Sequence, residues 1–184
     1  LHQPQAVLGR ARAVRFLRLL KLPVSGRFVL KLDMPPGGGA GASTAALVAL
    51  ARAAGAQEER IAAACLAVEG ASDPLMFAEP GRLLWASRAG RVFAEQPPLP
   101  RMDVLGGFYG PPLRTESKDD RFPVIDDLLS AWPAACSDPA AVAQLASISA
   151  GRTLALRGPA GDPTESLALR LGALGFVGRR RKAK

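Results

Sequence analysis

Apolar positions recur along this chain in two periods, and the switches between them outline its elements. Over residues 7–20, Val7, Val14, Leu17 and Leu20 share one helical face while Arg10, Arg12, Arg15 and Arg18 lie largely outward, which predicts a basic amphipathic helix. A turn at Leu22-Pro23-Val24-Ser25-Gly26 leads into residues 28–34, where Phe28, Leu30, Leu32 and Met34 alternate with Lys31 and Asp33 as in a half-buried strand. The run 47–54 is helical and stops at Gly55, a residue suited to a left-handed cap. A second helix follows over 58–69, with Ile61, Cys65 and Val68 inward. Residues 83–87 and 91–94 predict a hairpin turning at Ala89-Gly90. Beyond a proline-rich connector at 96–100, the pattern predicts a strand at 102–108 and helices at 122–132 and 139–148. A strand at 153–157 and a helix over 163–174, ending at Gly175, complete the order. The expected fold class is α+β, with an N-terminal α/β lobe, an α+β second lobe and no internal repeat.

Composition sets the outer limits. The chain of 184 residues is 48% hydrophobic, enough for one compact domain or two small lobes. No apolar stretch approaches the roughly 20 residues that span a bilayer, and Leu1-His2-Gln3-Pro4-Gln5 has no signal-peptide pattern, so a cytoplasmic protein without a membrane partner is expected. Five of the +8 excess charges sit in the tail Gly178-Arg179-Arg180-Arg181-Lys182-Ala183-Lys184, leaving +3 elsewhere. No aromatic residues interleave with the basic ones to stack bases, which disfavours a nucleic-acid partner. Cys65 and Cys136 lie in apolar segments without metal-ligand spacing and read as buried thiols. His2 is the sole histidine, so histidine-based triads, dyads and zinc sites lack their parts. What remains is chemistry by carboxylates, hydroxyls, backbone amides and a hard cation, the kit of phosphoryl transfer.

The candidate site begins at Met34-Pro35-Pro36-Gly37-Gly38-Gly39-Ala40-Gly41-Ala42-Ser43-Thr44-Ala45-Ala46. Four glycines let several amide N–H groups turn into one concavity, and a helix start behind them adds unpaired N–H groups and a positive dipole end. That is an anion seat suited to phosphate. A P-loop is excluded because no lysine lies between Lys31 and Lys118. Gly37-x-Gly39-x-x-Ala42 fits a dinucleotide fingerprint, but the strand before it alternates instead of being apolar on both faces. The acidic residue expected about 20 positions on falls to Glu58 or Glu59, which open a helix.

The segment 35–45 resembles the proline-led phosphate loop of the GHMP small-molecule kinases, the galactokinase, homoserine kinase and mevalonate kinase superfamily. It is most similar to the L-threonine kinase branch of cobalamin synthesis. Pro35, Gly37, Gly39, Ser43, Thr44 and Ala45 match by position, and Ala42 replaces the first of the paired serines. The resemblance is good over about 17–77 and only general beyond. It implies a GHMP-kinase-like two-lobe fold, with a ribosomal-protein-like N-terminal lobe over 1–112, lacking its first strands, and a ferredoxin-like α+β lobe over 113–184 with a basic tail. The family's Gly-Glu-containing substrate segment and glycine-rich third motif are absent from the sequence, as in a fragment or a divergent member.

The resemblance also implies roles. Pro35, Gly37, Gly38, Gly39, Ala40, Gly41, Ala42, Ser43 and Thr44 would hold the phosphates of ATP. Ser43 and Glu69 would reach Mg2+, and Asp73, in Glu69-Gly70-Ala71-Ser72-Asp73-Pro74, would orient the acceptor hydroxyl. Asp73-Pro74 also reads as a helix cap, as Asp138-Pro139 and Asp162-Pro163 do, although only one turn follows before Pro80-Gly81. Glu69 alternatively reads as an exposed helix end against an unfavourable dipole. Thr115, Lys118 and Arg121 could offer donors to a carboxylate or phosphate, but the loop that carries them reads first as a solvated connection between the lobes. The expected activity is ATP- and Mg2+-dependent phosphorylation of a small-molecule hydroxyl, L-threonine-like in the first instance, by a chain that could form a homodimer. The alternatives are a nucleotide-binding protein without turnover and a basic nucleic-acid-interacting domain.

Overall fold

The structure, a computed structural model, describes residues 7–33, 40–108 and 121–178. Among them are six α-helices and one two-stranded antiparallel sheet, a mixed α+β chain. The helices are α1 (Arg10–Leu19), α2 (Ala42–Ala53), α3 (Glu58–Glu69), α4 (Asp126–Ala135), α5 (Pro139–Arg157) and α6 (Thr164–Arg170). The strands are β1 (Leu83–Ala86) and β2 (Arg91–Glu95). The described residues divide into two compact units, one of 7–95 with 108 and the other of 96–107 with 121–178. The lobe boundary expected at 112/113 lies outside the described residues. No helix among the described residues is long and apolar enough to cross a membrane.

In the first unit α1, α2 and α3 pack around Phe16, Leu17, Leu20, Leu47, Val48, Leu50, Ala51, Ile61, Ala64, Cys65 and Met76. The helix expected over 7–20 spans Arg10–Leu19; of the face read from the sequence Val7, Leu17 and Leu20 are buried and Val14 is half-buried, while Phe16, which that face did not include, is the most enclosed. Helix α3 has the expected bounds and buries Ile61 and Cys65. Burial, and secondarily the charge of Glu69, pushes the Cys65 thiol up to about 12, so it stays protonated and inert. The hairpin pairs Leu83 with Glu95 and Ala86 with Arg91, with an irregularity between Leu84 and Trp85. Gly90 in its turn has φ +63, and a Cβ there would meet Leu66 Cδ2 at 2.6 Å, so the turn seats directly on α3.

Several expected elements differ. Residues 28–33 form no strand, and Phe28 and Val29 are exposed; Met34 lies outside the described residues. Alternation specifies a strand only where a neighbour completes the ladder, and among the described residues no ladder forms there. The same holds for 102–108, which form no regular element and leave Val104 and Leu105 exposed. The helix expected over 122–132 starts at Asp126, because Pro123 keeps Phe122 out of the helical region and Asp126 and Asp127 suit the first turn.

The strand expected at 153–157 is instead the last part of α5. Ser147 and Thr153 donate their hydroxyls to the carbonyls of Ala143 and Ser149, so neither hydroxyl is left unpaired in the helix. Arg152 fastens the same stretch to Asp127 of α4 with two hydrogen bonds of 2.6 Å. Helix α6 is also shorter than expected, closing at Leu171 before Gly172, φ +64. The described part of the second unit therefore carries helices and no strand, in place of the ferredoxin-like strands expected there.

Candidate functional site

Helix α2 starts after Gly41, whose φ of +74 is left-handed. Its first ladder bond runs from Ala45 N–H to Gly41 O, so the amides of Ala42, Ser43 and Thr44 lie ahead of any intrahelical acceptor. A Cβ on Gly41 would stand 3.2 Å from Asp73 Oδ2 and 3.4 Å from Leu75 Cδ1. Glycine there serves both the backbone turn and the approach of a carboxylate.

Four polar side chains meet at this helix start. Ser43 Oγ donates to Glu69 Oε2 at 2.7 Å. Thr44, buried, accepts the Asp73 N–H at 3.3 Å and makes a long contact of 3.5 Å to Asp73 Oδ2. The sequence places these residues 26 and 29 positions apart, and the packing of α2 on α3 brings them together. Asp73 is therefore not a helix cap. The residues after it form only a turn closed by Phe77 N–H to Pro74 O, whereas Asp138 and Asp162 do accept amides at the starts of α5 and α6.

Glu69 is not an exposed helix end: its side chain is 15% exposed, and Arg12 Nη1 of α1 stands 3.0 Å from Oε1. That nitrogen approaches at ion-pair distance with its N–H bonds off line, so Oε1, closed to solvent, takes no hydrogen bond. One turn on, Arg15 donates to Ala67 O at 2.8 Å, so α1 supplies two cations to the negative end of α3. The loop bearing Asp73 is tied to the hairpin from the other side. Trp85 Nε1 donates to Ser72 O at 2.7 Å and Ser72 N–H donates to Ser87 O at 2.9 Å, leaving the buried Ser72 hydroxyl without a partner.

Sequence reasoning missed Arg12, Ser72 and Trp85. Periodicity assigns Arg12 to the outer face of α1, but a glutamate ending a helix needs a counter-charge, and that signal points to an arginine on a neighbouring helix.

Of the residues expected to hold phosphate, Ala40, Gly41, Ala42, Ser43 and Thr44 stand at the start of α2. Pro35, Gly37, Gly38 and Gly39 lie outside the described residues, as do Thr115 and Lys118. Arg121 takes part in another contact: its carbonyl accepts from Arg157 at 3.1 Å, within the second unit. A cleft of about 220 Å³ lined by Phe77, Ala78, Glu79, Arg82, Leu83 and Glu95 shares no residue with the cluster.

The donor set can be tested against Mg2+. Among the described residues no three His, Cys, Asp or Glu side chains gather as a cage. Mg2+ does not need one, since it takes one or two carboxylates and completes its shell with water and phosphate oxygens. Octahedral bonds of about 2.0–2.1 Å put adjacent ligands about 2.9 Å apart, close to the 2.7 Å between Ser43 Oγ and Glu69 Oε2. The spacing of these two oxygens is thus compatible with a shared hard cation, while Arg12 already stands on the other oxygen of Glu69. No family model, curated protein or solved structure matches the chain.

Proposed function

We propose that this protein is a small-molecule kinase on a GHMP-like scaffold, transferring the γ-phosphoryl group of ATP to the hydroxyl of a small metabolite, with L-threonine-like acceptors tried first. The observation that carries the reading is the meeting of Ser43, Thr44, Glu69 and Asp73 at the start of α2. The amides and dipole end of α2 attract phosphate oxygens. Ser43 and Glu69 would hold Mg2+, which when bound neutralises charge on the phosphates. Asp73 Oδ2, held beside Gly41 and Thr44, accepts the proton of the acceptor hydroxyl as its oxygen bonds to the γ-phosphorus and ADP leaves with the bridging oxygen. Thr44 acts through Asp73 and so positions it.

A nucleotide seat without turnover is the second reading, and the Arg12 ion pair on Glu69 favours it by engaging a metal-binding carboxylate. Phosphate transfer from labelled Mg·ATP to a panel of small alcohols, L-threonine first, separates the two. Asp73→Asn is expected to keep nucleotide binding and lose transfer by about 10²–10⁴-fold, the range for a general base. Binding without transfer to any acceptor in the wild-type chain would move the assignment to the second reading.

A further inference from the structure

The two carboxylate oxygens of Glu69 have different surroundings. Oε2 accepts a hydrogen bond from Ser43, whereas Oε1 is closed to solvent, has Arg12 at 3.0 Å and receives no hydrogen bond. Burying an ionised oxygen is costly unless donors are aimed at it, so a charge that is neutralised without an aligned donor is held loosely. Arg12 keeps a route to water as well, its side chain being 29% exposed on a long flexible stem.

We propose that Arg12 is a resident counter-ion, occupying the cation's place on Glu69 until a divalent cation binds between Glu69 and Ser43 and displaces it. The inference rests on reading the cluster as a metal and phosphate seat. A dication bonded to Glu69 would stand within a few ångströms of the guanidinium, and like charges at that range in a half-buried site repel strongly. Arg15, still bonded to Ala67 O, keeps α1 on α3 while Arg12 swings out. Without metal, Arg12 offsets the negative charge that Glu69 adds to the negative end of α3. The same residue therefore supports the metal-free fold and opposes metal binding.

The test uses Mn2+ as the probe, its free concentration followed by electron paramagnetic resonance. The full chain is compared with Arg12→Gln, Arg12→Lys and Glu69→Gln, and Tm is recorded in chelator and in saturating Mg2+. Removing the competing charge should let Arg12→Gln bind Mn2+ about tenfold more tightly, the scale of one partly screened ion pair. Arg12→Lys, which keeps the charge, should stay near wild type, and Glu69→Gln should lose Mn2+ binding. The Tm of Arg12→Gln should fall below wild type in chelator, and the gap should narrow in Mg2+. If Arg12→Gln does not fold, Arg12→Met, which keeps an apolar stem, carries the same expectation. Mn2+ bound no more tightly after the charge is removed overturns the exchange while leaving the kinase reading standing. Failure of the natively folded wild type to bind either Mn2+ or Mg·ATP overturns both.

Discussion

Phe16, Leu47, Ile61 and Cys65 in the first unit have no more than a trace of solvent exposure, whereas the buried apolar side chains of the second are Leu128, Ala135, Cys136, Val142 and Ala150. The first unit wraps three helices around a continuous core; in the second, α4 packs on α5 while Leu167, Leu169, Leu171, Leu174 and Val177 stay exposed. Every described residue of the candidate site lies in the first unit. Positioned carboxylates need supports that do not shift, and a close-packed core provides them. Ser43 and Thr44 lie in the first turn of α2, the helix that buries Leu47 and Ala51, and Glu69 ends the helix that buries Ile61 and Cys65.

Core truncation should break the comparison most visibly. Ile61→Ala is expected to cost about 2–5 kcal/mol and Leu128→Ala a value at the lower end of that range. Urea unfolding can follow the units separately, because Trp85 reports the first and Trp132 the second. The Trp132 signal should change at lower urea, and each truncation should move mainly the signal of its own unit.

Two left-handed glycines make a matched pair of smaller size. Alanine at Gly41 or at Gly161, φ +73, should lose about 1–2 kcal/mol from the backbone alone. Nothing lies within 4 Å of a Cβ at Gly161, whereas one at Gly41 presses on Asp73. Only Gly41→Ala should therefore also weaken Mg·ATP binding, read by calorimetry. Trp85→Phe removes one hydrogen bond to Ser72 O, costing about 1 kcal/mol, and should lower phosphate transfer more than nucleotide binding.

The smallest effect belongs to the exposed Arg152–Asp127 pair of the second unit. The Arg152 hydrogen bonds lower the Asp127 carboxyl from 3.8 to about 2. Its folded value is depressed, so its stabilising contribution is present above 3.8 and lost as pH falls toward about 2. Asp127→Asn should flatten the acid limb of the Trp132 stability profile in that window and lower stability at neutral pH by the same amount, a small one because the pair is solvent-screened.

Helices with a one-sided apolar face were legible: α3 matches to the residue, and most of the stripe that the spacing picks out on α1 is buried, though not Val14. The turn chemistry at Ala89-Gly90 likewise marked the hairpin. Strands at 28–34 and 102–108 were not, because a strand depends on a partner that its own pattern does not name. The strand at 153–157 failed for another reason, as the helix that starts at Pro139 runs on through it, with the hydroxyls of Ser147 and Thr153 bonded to its own carbonyls. At the site, Ser43 and Thr44 were named from the glycine-rich loop and Glu69 and Asp73 from the resemblance alone, and the four side chains do come together. Arg12 escaped because its role depends on the contact of α1 with the end of α3, which periodicity along one helix does not encode.

The central claim, that this helix start is a metal and nucleotide seat, is tested most directly by calorimetric titration of Mg·ATP into the wild-type chain and Glu69→Gln. Saturable one-to-one binding that needs Mg2+ and is lost in Glu69→Gln is the predicted result. No binding to a wild-type chain that unfolds cooperatively, or binding indifferent to both Mg2+ and Glu69, would contradict it.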